Sequence, residues 1–372
     1  MKQLHETTDW DERVFAGLVT RELTSEQSDK ILKPRRIHTG ELAVLAVHWH
    51  PEFVPIDLIK CRIEKMFPHC TEQLIIPTQH NVITHFGDYA GVEVDCHATE
   101  FSAKAQLLLH FKKEKLSVPK ANMLKDMVKE TFTYREKQMM QFLELLAEKE
   151  HTEKRTEAAK RTCATEELVA FVLIHARKLM NLITKFDNDI PIEALRNKLI
   201  HDYFNELRFI CDGKVIDRAQ IFLSEVKKIV KANIDLSSFY TVQDFIEETR
   251  ALGGGIIVPH PEQFWPILMT DYDVDGYEVW NPASKKYTEF IISVLAKHNA
   301  RRSECDRELL VFMGDDTHMG DKVKTQSRIV RGRELREVGV QPAWKDPQIL
   351  RKLKASGINK KQVIKQYRER LS

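Results

Sequence analysis

Between residues 42 and 110 the chain is written in short, nearly unbroken apolar runs, each closed by a polar residue. "ELAVLAVHWH" ends at His50, "EQLIIPTQH" at His80, "YAGVEVDCH" carries Glu93, and "AQLLLHF" contains His110. Runs of this kind lack the alternation of a half-exposed sheet. They predict strands buried on both faces, the pattern of parallel sheets. Between the first two, "PIDLIKCRIEKMF" sets Ile56, Ile59, Ile63 and Phe67 at helical spacing. Strand, helix and strand in that order open an α/β unit.

From 112 to 250 the text becomes charged, helix-periodic and nearly free of glycine, with room for four or five helices. Residues 148 to 162 read as a solvated helix or connector. In "QMMQFLELLAEKE" the stripe Met139, Phe142, Leu145 and Leu146 predicts a core face. Strand signals then return: "GGGIIVPHP" contains His260, "DGYEVWNP" contains Asn281, and "RELLVFMGDDTH" ends at His318, with helix-like segments over 241 to 252 and 284 to 299. The pattern divides the chain into an N-terminal extension (1–40), an α/β portion in two pieces (41–111 and 251–320), a helical insertion (112–250), and a tail (321–372) with two short helices around Gly357.

Composition narrows this picture. The 372 residues are 42% hydrophobic, enough for a sizeable core, and the net charge of +2 singles out neither nucleic acid nor a membrane. Charge is uneven, however. The tail carries 15 Lys/Arg against 5 Asp/Glu, a net of +10, and the preceding 320 residues a net of −8. No apolar stretch is long enough to span a bilayer, and "MKQLHETTDWDERV" lacks the order of a signal peptide, so a cytoplasmic protein is expected. The six cysteines (Cys61, Cys70, Cys96, Cys163, Cys211, Cys305) form no CxxC pair, and reduced thiols are expected.

Seven apolar runs end in His, Glu, Asn or Asp, and this coincidence is the main functional signal. Loops at the carboxyl ends of parallel strands face one crevice, where ligand-type side chains meet. In a strand, residues i and i+2 project to the same side, so His48 and His50 can grip one cation, and Asp316 and His318 can do likewise. A carboxylate such as Glu93 suits two ions sharing a phosphoester displacement. Mixed imidazole and carboxylate ligation favours manganese, zinc or iron over calcium.

These residues resemble the polymerase and histidinol phosphatase (PHP) superfamily of metal-dependent phosphoesterases. The matching text is His48 and His50 in "VHWHP", His80 in "IPTQHN", Glu93 in "GVEVD", His110 in "LLLHF", His260 in "GGGIIVPHP", and Asp316 with His318 in "GDDTH". The order is kept over residues 40 to 320. The resemblance implies a distorted seven-stranded (β/α) barrel, of TIM-like kind, holding two or three divalent ions that activate a water against a phosphate ester. It implies catalytic roles for His48, Glu93, Asp316 and His318. A first ion would take His48, His50, Glu93 and Asp316, and a second Glu93, His110 and His260, with Gln106 as the alternative to His110. A third would take His80 and His318, with Glu52 or Asp57 in place of the serine, aspartate or histidine that family members carry after HxH. The family's TDH reads TQH here, at Gln79.

The implied substrate is a phosphorylated small molecule or a nucleic acid. Two further readings stand beside the hydrolase: a nuclease that holds its strand with the basic tail, where "RIVRGREL" and "KKQVIKQYRERL" supply phosphate contacts and Tyr367 a stacking ring, and a non-catalytic metal-binding interaction protein. Outside the pattern, His69, His85 and His97 read as surface or supporting residues. Asp95 reads as an orienting group. Tyr277, Glu278 and Asn281 read as strand-end residues near substrate, and Phe264 and Trp265 as an apolar wall.

Overall fold

The computed structural model describes residues 6–233, 235–303, 307–324 and 332–372, so Cys305 and the "RIVR" of "RIVRGREL" lie outside the described residues. After α1 (Asp9–Val19) and α2 (Ser25–Leu32), each begun by a threonine capping box, the first apolar run folds as two strands. They are β1 (Ala43–Ala46) and β2 (Trp49–His50). Helix α3 (Ile56–Met66) buries Ile59, Ile63 and Met66 and returns the chain to β3 (Glu72–Ile75), which pairs parallel with β1. This is the α/β opening that the periodicity predicts.

The next strands depart from expectation. β4 (Thr84–Phe86), β5 (Tyr89–Ala98) and β6 (Ala103–Lys112) run antiparallel to their neighbours. Only Thr99 to Ser102 separate β5 from β6, with Ser102 in the left-handed region at φ 47°. A parallel crossover needs a dozen or more residues, so a link this short permits only a hairpin. Helices follow: α4 (Asn122–Ala147), α5 (Thr152–Thr162), α6 (Glu166–Lys185), α7 (Asn197–Glu206), α8 (Gly213–Ala232) and α9 (Val242–Ala251). Then come β7 (Gly255–Val258), β8 (Gly276–Trp280), α10 (Thr288–Arg301), β9 (Leu310–Met313), β10 (Thr317–His318), α11 (Pro347–Ala355) and α12 (Lys360–Arg370).

The sheet order is β4-β5-β6-β7-β8-β9, parallel only from β7 onward, beside the pairs β1-β3 and β10-β2. Among the described residues these sheets are open. The seven-stranded barrel that the resemblance implies is not closed, since the long β5–β6 hairpin stands where β/α crossovers would be.

The chain forms two compact units. The sheets, with α12, belong to the unit of Leu23–Phe132, Leu236–Val323 and Val330–Ser372. Its largest core packs Val92, Leu107, Ile257, Val279 and Phe312 with Ile364 and Tyr367 of α12, so the C-terminal segment is core material in this unit. Tyr367, read as a stacking ring, is fully buried, its ring 4.9 Å from Phe312. Several basic side chains here have protein partners: Lys360 and Lys345 meet Glu41 at 2.6 and 2.8 Å, and Arg370 meets Asp275 at 3.2 Å.

The described residues of the other unit, which takes in Met1–Glu22 and Thr133–Asp235, are mainly helical. Its core joins Phe15 of α1 to Phe142 and Leu146 of α4 and to Leu179, Tyr203, Phe204 and Phe222, so the α4 stripe is a core face. Asp11 is buried there and accepts from Lys178 at 2.8 Å and Tyr203 at 2.9 Å. Among the described residues, no helix is long and apolar enough to cross a membrane.

Candidate metal centre

The site is built where β1 gives way to β2. His48 and His50 flank Trp49, whose indole is buried and packs edge-on against Phe86 at 5.6 Å. The two imidazoles therefore share the opposite side, as the i, i+2 spacing requires. Their Nε2 atoms lie 3.8 and 3.6 Å from Asp316 Oδ1, and 4.0 and 3.6 Å from Glu93 Oε2. β10 pairs with β2 so that His318 stands beside His50, with ring centroids 4.2 Å apart. His80 covers His50 at 4.3 Å and brings Nδ1 to 2.6 Å from Glu93 Oε2. His260 Nε2 reaches Glu93 Oε1 at 3.5 Å.

Glu93 sits in the middle of β5, not at a strand end, because the hairpin carries that strand past the cluster. The segment after β3 is strapped to it: Glu93 donates its N–H to the Gln79 carbonyl at 3.1 Å, and the Asn81 N–H donates to the Glu93 carbonyl at 2.7 Å. Asn81 is left-handed at φ 49° and bonds Asp95, which also meets Lys104 at 2.8 Å. Glu52, His260 and Asp316 are likewise non-glycine residues at positive φ, of 53°, 28° and 46°. Such backbone persists where surrounding bonds over-determine it, and it clusters at working sites.

Five imidazoles and two carboxylates thus fall into three overlapping groups whose donor atoms lie within 4.8 Å of one another. These are His48, His50 and Asp316; His48, Glu93 and His260; and His50, His80 and His318. His110, expected beside Glu93 and His260, is not in these groups. In the hairpin register it faces Gly91, and its Nδ1 pairs with the Tyr367 hydroxyl at 2.7 Å. Its alternative, Gln106, faces Asp95. Of the two candidates for completing a third set, Glu52 Oε1 lies 3.3 Å from His318 Nδ1, whereas Asp57 is exposed on α3.

Three supporting roles escaped sequence reasoning. Glu278, read as near substrate, has both oxygens 3.1 Å from His48 Nδ1 and accepts the His260 N–H at 2.7 Å and the Asn281 amide at 3.3 Å. Gly314 makes room for it, since a Cβ there would fall 1.3 Å from Glu278 Oε1. Arg336, which was absorbed into the basic tail, donates to Asp316 Oδ2 at 2.7 Å. Asp315 is buried and accepts the Gly339 N–H at 2.9 Å. The one signal available was the doubled aspartate of "GDDTH". His69 and His85 are exposed and His97 half-buried. Phe264 packs edge-on to His260 at 5.8 Å, and Tyr277 is in the core.

Electrostatics prepare the donors. Burial opposes charge on His48, but the Glu278 carboxylate outweighs it and lifts the ring to about 10. Burial, with His318 and His80 nearby, holds His50 well below the usual histidine value and therefore neutral. Burial would raise Glu93, yet His80, His260 and His48 keep it far below the carboxylate range, and His318, His50 and His48 do the same for Asp316. Asp315, by contrast, is driven up to about 7 by burial. Two ionised carboxylates therefore face a crowd of imidazoles.

Nε2 of His48 and His50 and both carboxylate oxygens of Glu93 are shielded from water and make no hydrogen bond of regular geometry among the described residues. Buried polar atoms left in that state are costly. A divalent cation would satisfy them, and the mixed nitrogen and oxygen donor set fits one.

No protein-family model matches the chain, and no curated protein matches it. Among solved structures it is similar to a "putative metal-dependent phosphoesterase" from Bifidobacterium adolescentis, at 14% identity, over 86% of this chain and 97% of that one, with a TM-score of 0.40. A likeness that loose carries no argument about fold or chemistry.

Proposed function

We propose that the protein is a metal-dependent phosphoesterase of PHP type, using two or three manganese, zinc or iron ions. One observation carries this: side chains from positions 48 to 318 converge on one another, with His48, His50, Glu93 and His260 buried. One ion would be held by His48, His50, Glu93 and Asp316. A second would be held by Glu93 and His260, without His110. A third would take His80 and His318 with His50 or Glu52 as the further donor. Bound there, the cations supply Lewis acidity, activating water and offsetting charge on the phosphoryl oxygens.

The chain's own part is arrangement. Glu278 orients His48 and fixes the backbone of His260. Glu93, ionised and buried, presents one oxygen toward His48, His50 and His80 and the other toward His260. That split would suit a carboxylate shared between two ions. The pairings of Arg370, Lys360 and Lys345 leave the small-molecule phosphoester as a better-supported substrate than a strand held by the tail. Among the described residues five cysteines form no disulfide, which suits the cytoplasm.

Elemental analysis of the purified protein, followed by a panel of phosphomonoesters, phosphodiesters and oligonucleotides with added Mn2+, tests the proposal. Stoichiometric metal with turnover lost in His48→Ala is expected. Parental activity in that variant would refute it.

A further inference from the structure

The turn carrying Asp316 is gripped by the segment that follows it. The Asp316 N–H donates to the His48 carbonyl at 2.9 Å, and Arg336 Nη1 donates both to the Asp316 carbonyl at 3.0 Å and to Oδ2 at 2.7 Å. The other carboxylate oxygen, Oδ1, is aimed at Nε2 of His318 (3.4 Å), His50 (3.6 Å) and His48 (3.8 Å). Both backbone polar groups and one side-chain oxygen of this left-handed residue are thereby committed. A single oxygen is left facing the imidazoles.

Arg336 is itself held. Its carbonyl accepts Lys322 Nζ at 2.5 Å, Lys322 pairs with Glu337 at 3.1 Å, and Glu337 takes Arg62 in a two-pronged bond of 2.5 and 2.9 Å. Three and five residues on, the Gly339 N–H and the Gln341 amide hold the neighbouring Asp315 at 2.9 and 3.4 Å. The guanidinium is thus a fixed part of the turn, with its side chain only 13% exposed.

Resting on the metal-centre reading, we propose that Arg336 is a positioning residue that restricts Asp316 to one-oxygen ligation of a divalent cation. A carboxylate free to turn binds such ions through one oxygen or two. With Oδ2 engaged by Arg336, only Oδ1 is offered, and a coordination position stays open for water or substrate. The arginine also keeps the strained turn in place before any cation arrives, so the donor is preset. Lysine would keep the charge but not the fixed geometry of the guanidinium.

The test compares the full-length protein with Arg336→Ala and Arg336→Lys, each stripped of metal and titrated with Mn2+ by calorimetry. X-ray absorption at the manganese edge then counts the metal's neighbours. The expected result is a fall in Mn2+ affinity for Arg336→Ala of about 10- to 100-fold, the usual loss when an outer partner of a ligand is removed. It comes with one additional oxygen neighbour as Asp316 turns to chelate, and Arg336→Lys recovers only part of either change. The extra neighbour is the signature that a merely structural role would not move. Should Arg336→Ala fail to fold, Arg336→Gln, which keeps most of the length, carries the same expectations. Unchanged or tighter affinity, or an unchanged neighbour count, overturns this inference alone. A parental protein that takes up no Mn2+ removes the metal-centre reading and this inference with it.

Discussion

Both carboxylate oxygens of Glu278 stand 3.1 Å from Nδ1 of His48, and both residues are buried. A carboxylate there keeps a proton on Nδ1 and directs Nε2 toward Glu93 and Asp316. Partners of this kind fix the tautomer and orientation of a ligand histidine. Glu278→Gln, nearly the same shape without the charge, should lower metal affinity and turnover about 10- to 100-fold. Elemental analysis after dialysis against a set Mn2+ concentration, beside the initial rate, checks this, and a parental value for both would count against the role.

Gly314 should tolerate no side chain. A methyl group placed 1.3 Å from Glu278 Oε1 must displace that carboxylate or the backbone. Overpacking of this kind costs about 1–3 kcal/mol, occasionally more. Gly314→Ala should melt earlier and lose metal together, as calorimetric melts with and without Mn2+ would reveal.

Cation binding should release protons. With His48 lifted to about 10, its ring carries two protons at neutral pH in the metal-free protein, and a cation on Nε2 must displace one. Affinity therefore falls as pH falls. Titrations at pH 7 in buffers of different ionisation enthalpy should give apparent heats that differ in proportion to the protons released, and identical heats would contradict the account.

If His110 acts through packing, its partner matters to stability and not to the metal. Tyr367→Phe removes a hydroxyl 2.7 Å from a buried imidazole nitrogen and should cost about 1–3 kcal/mol in urea unfolding. Metal stoichiometry should stay unchanged. A lost metal equivalent would return His110 to the ligand set.

The helical unit should carry its own acid sensitivity. Burial raises the Asp11 carboxyl, but Lys178, Thr8 and Tyr203 outweigh it and hold it below its ordinary 3.8. A depressed value in the folded state stabilises above the unfolded value, and the gain is lost as pH falls through the folded one. The fall below pH 3.8 should be smaller in Asp11→Asn, which at pH 7 should be less stable by about 1.5–3 kcal/mol. Urea midpoints at pH 7 and pH 3 would decide.

Much of the site was legible because its geometry is local. The i, i+2 spacing of His48 with His50 and of Asp316 with His318 specifies which side chains share a side, and apolar runs mark the strands that carry them. The direction of pairing was less legible: "ATEFS" has no Asn-Gly signal, and continuous burial of β5 and β6 imitates parallel strands. The resemblance set His110 beside the ligands, whereas in the hairpin register it faces Gly91 and its Nδ1 meets the Tyr367 hydroxyl. Glu278 and Arg336 were hidden for a different reason. Their partners lie 230 residues and 20 residues away, and nothing in a local pattern says which acid or base will meet a given histidine or aspartate.

The grip of Arg336 on Asp316 also fixes when this centre can exist. His48 leaves the ribosome long before the arginine that completes its surroundings, and Tyr367 is later still. Until Arg336 emerges, the imidazoles wait without the contact that holds the Asp316 turn. Whatever metal the nascent protein meets, the aligned donor set awaits Arg336.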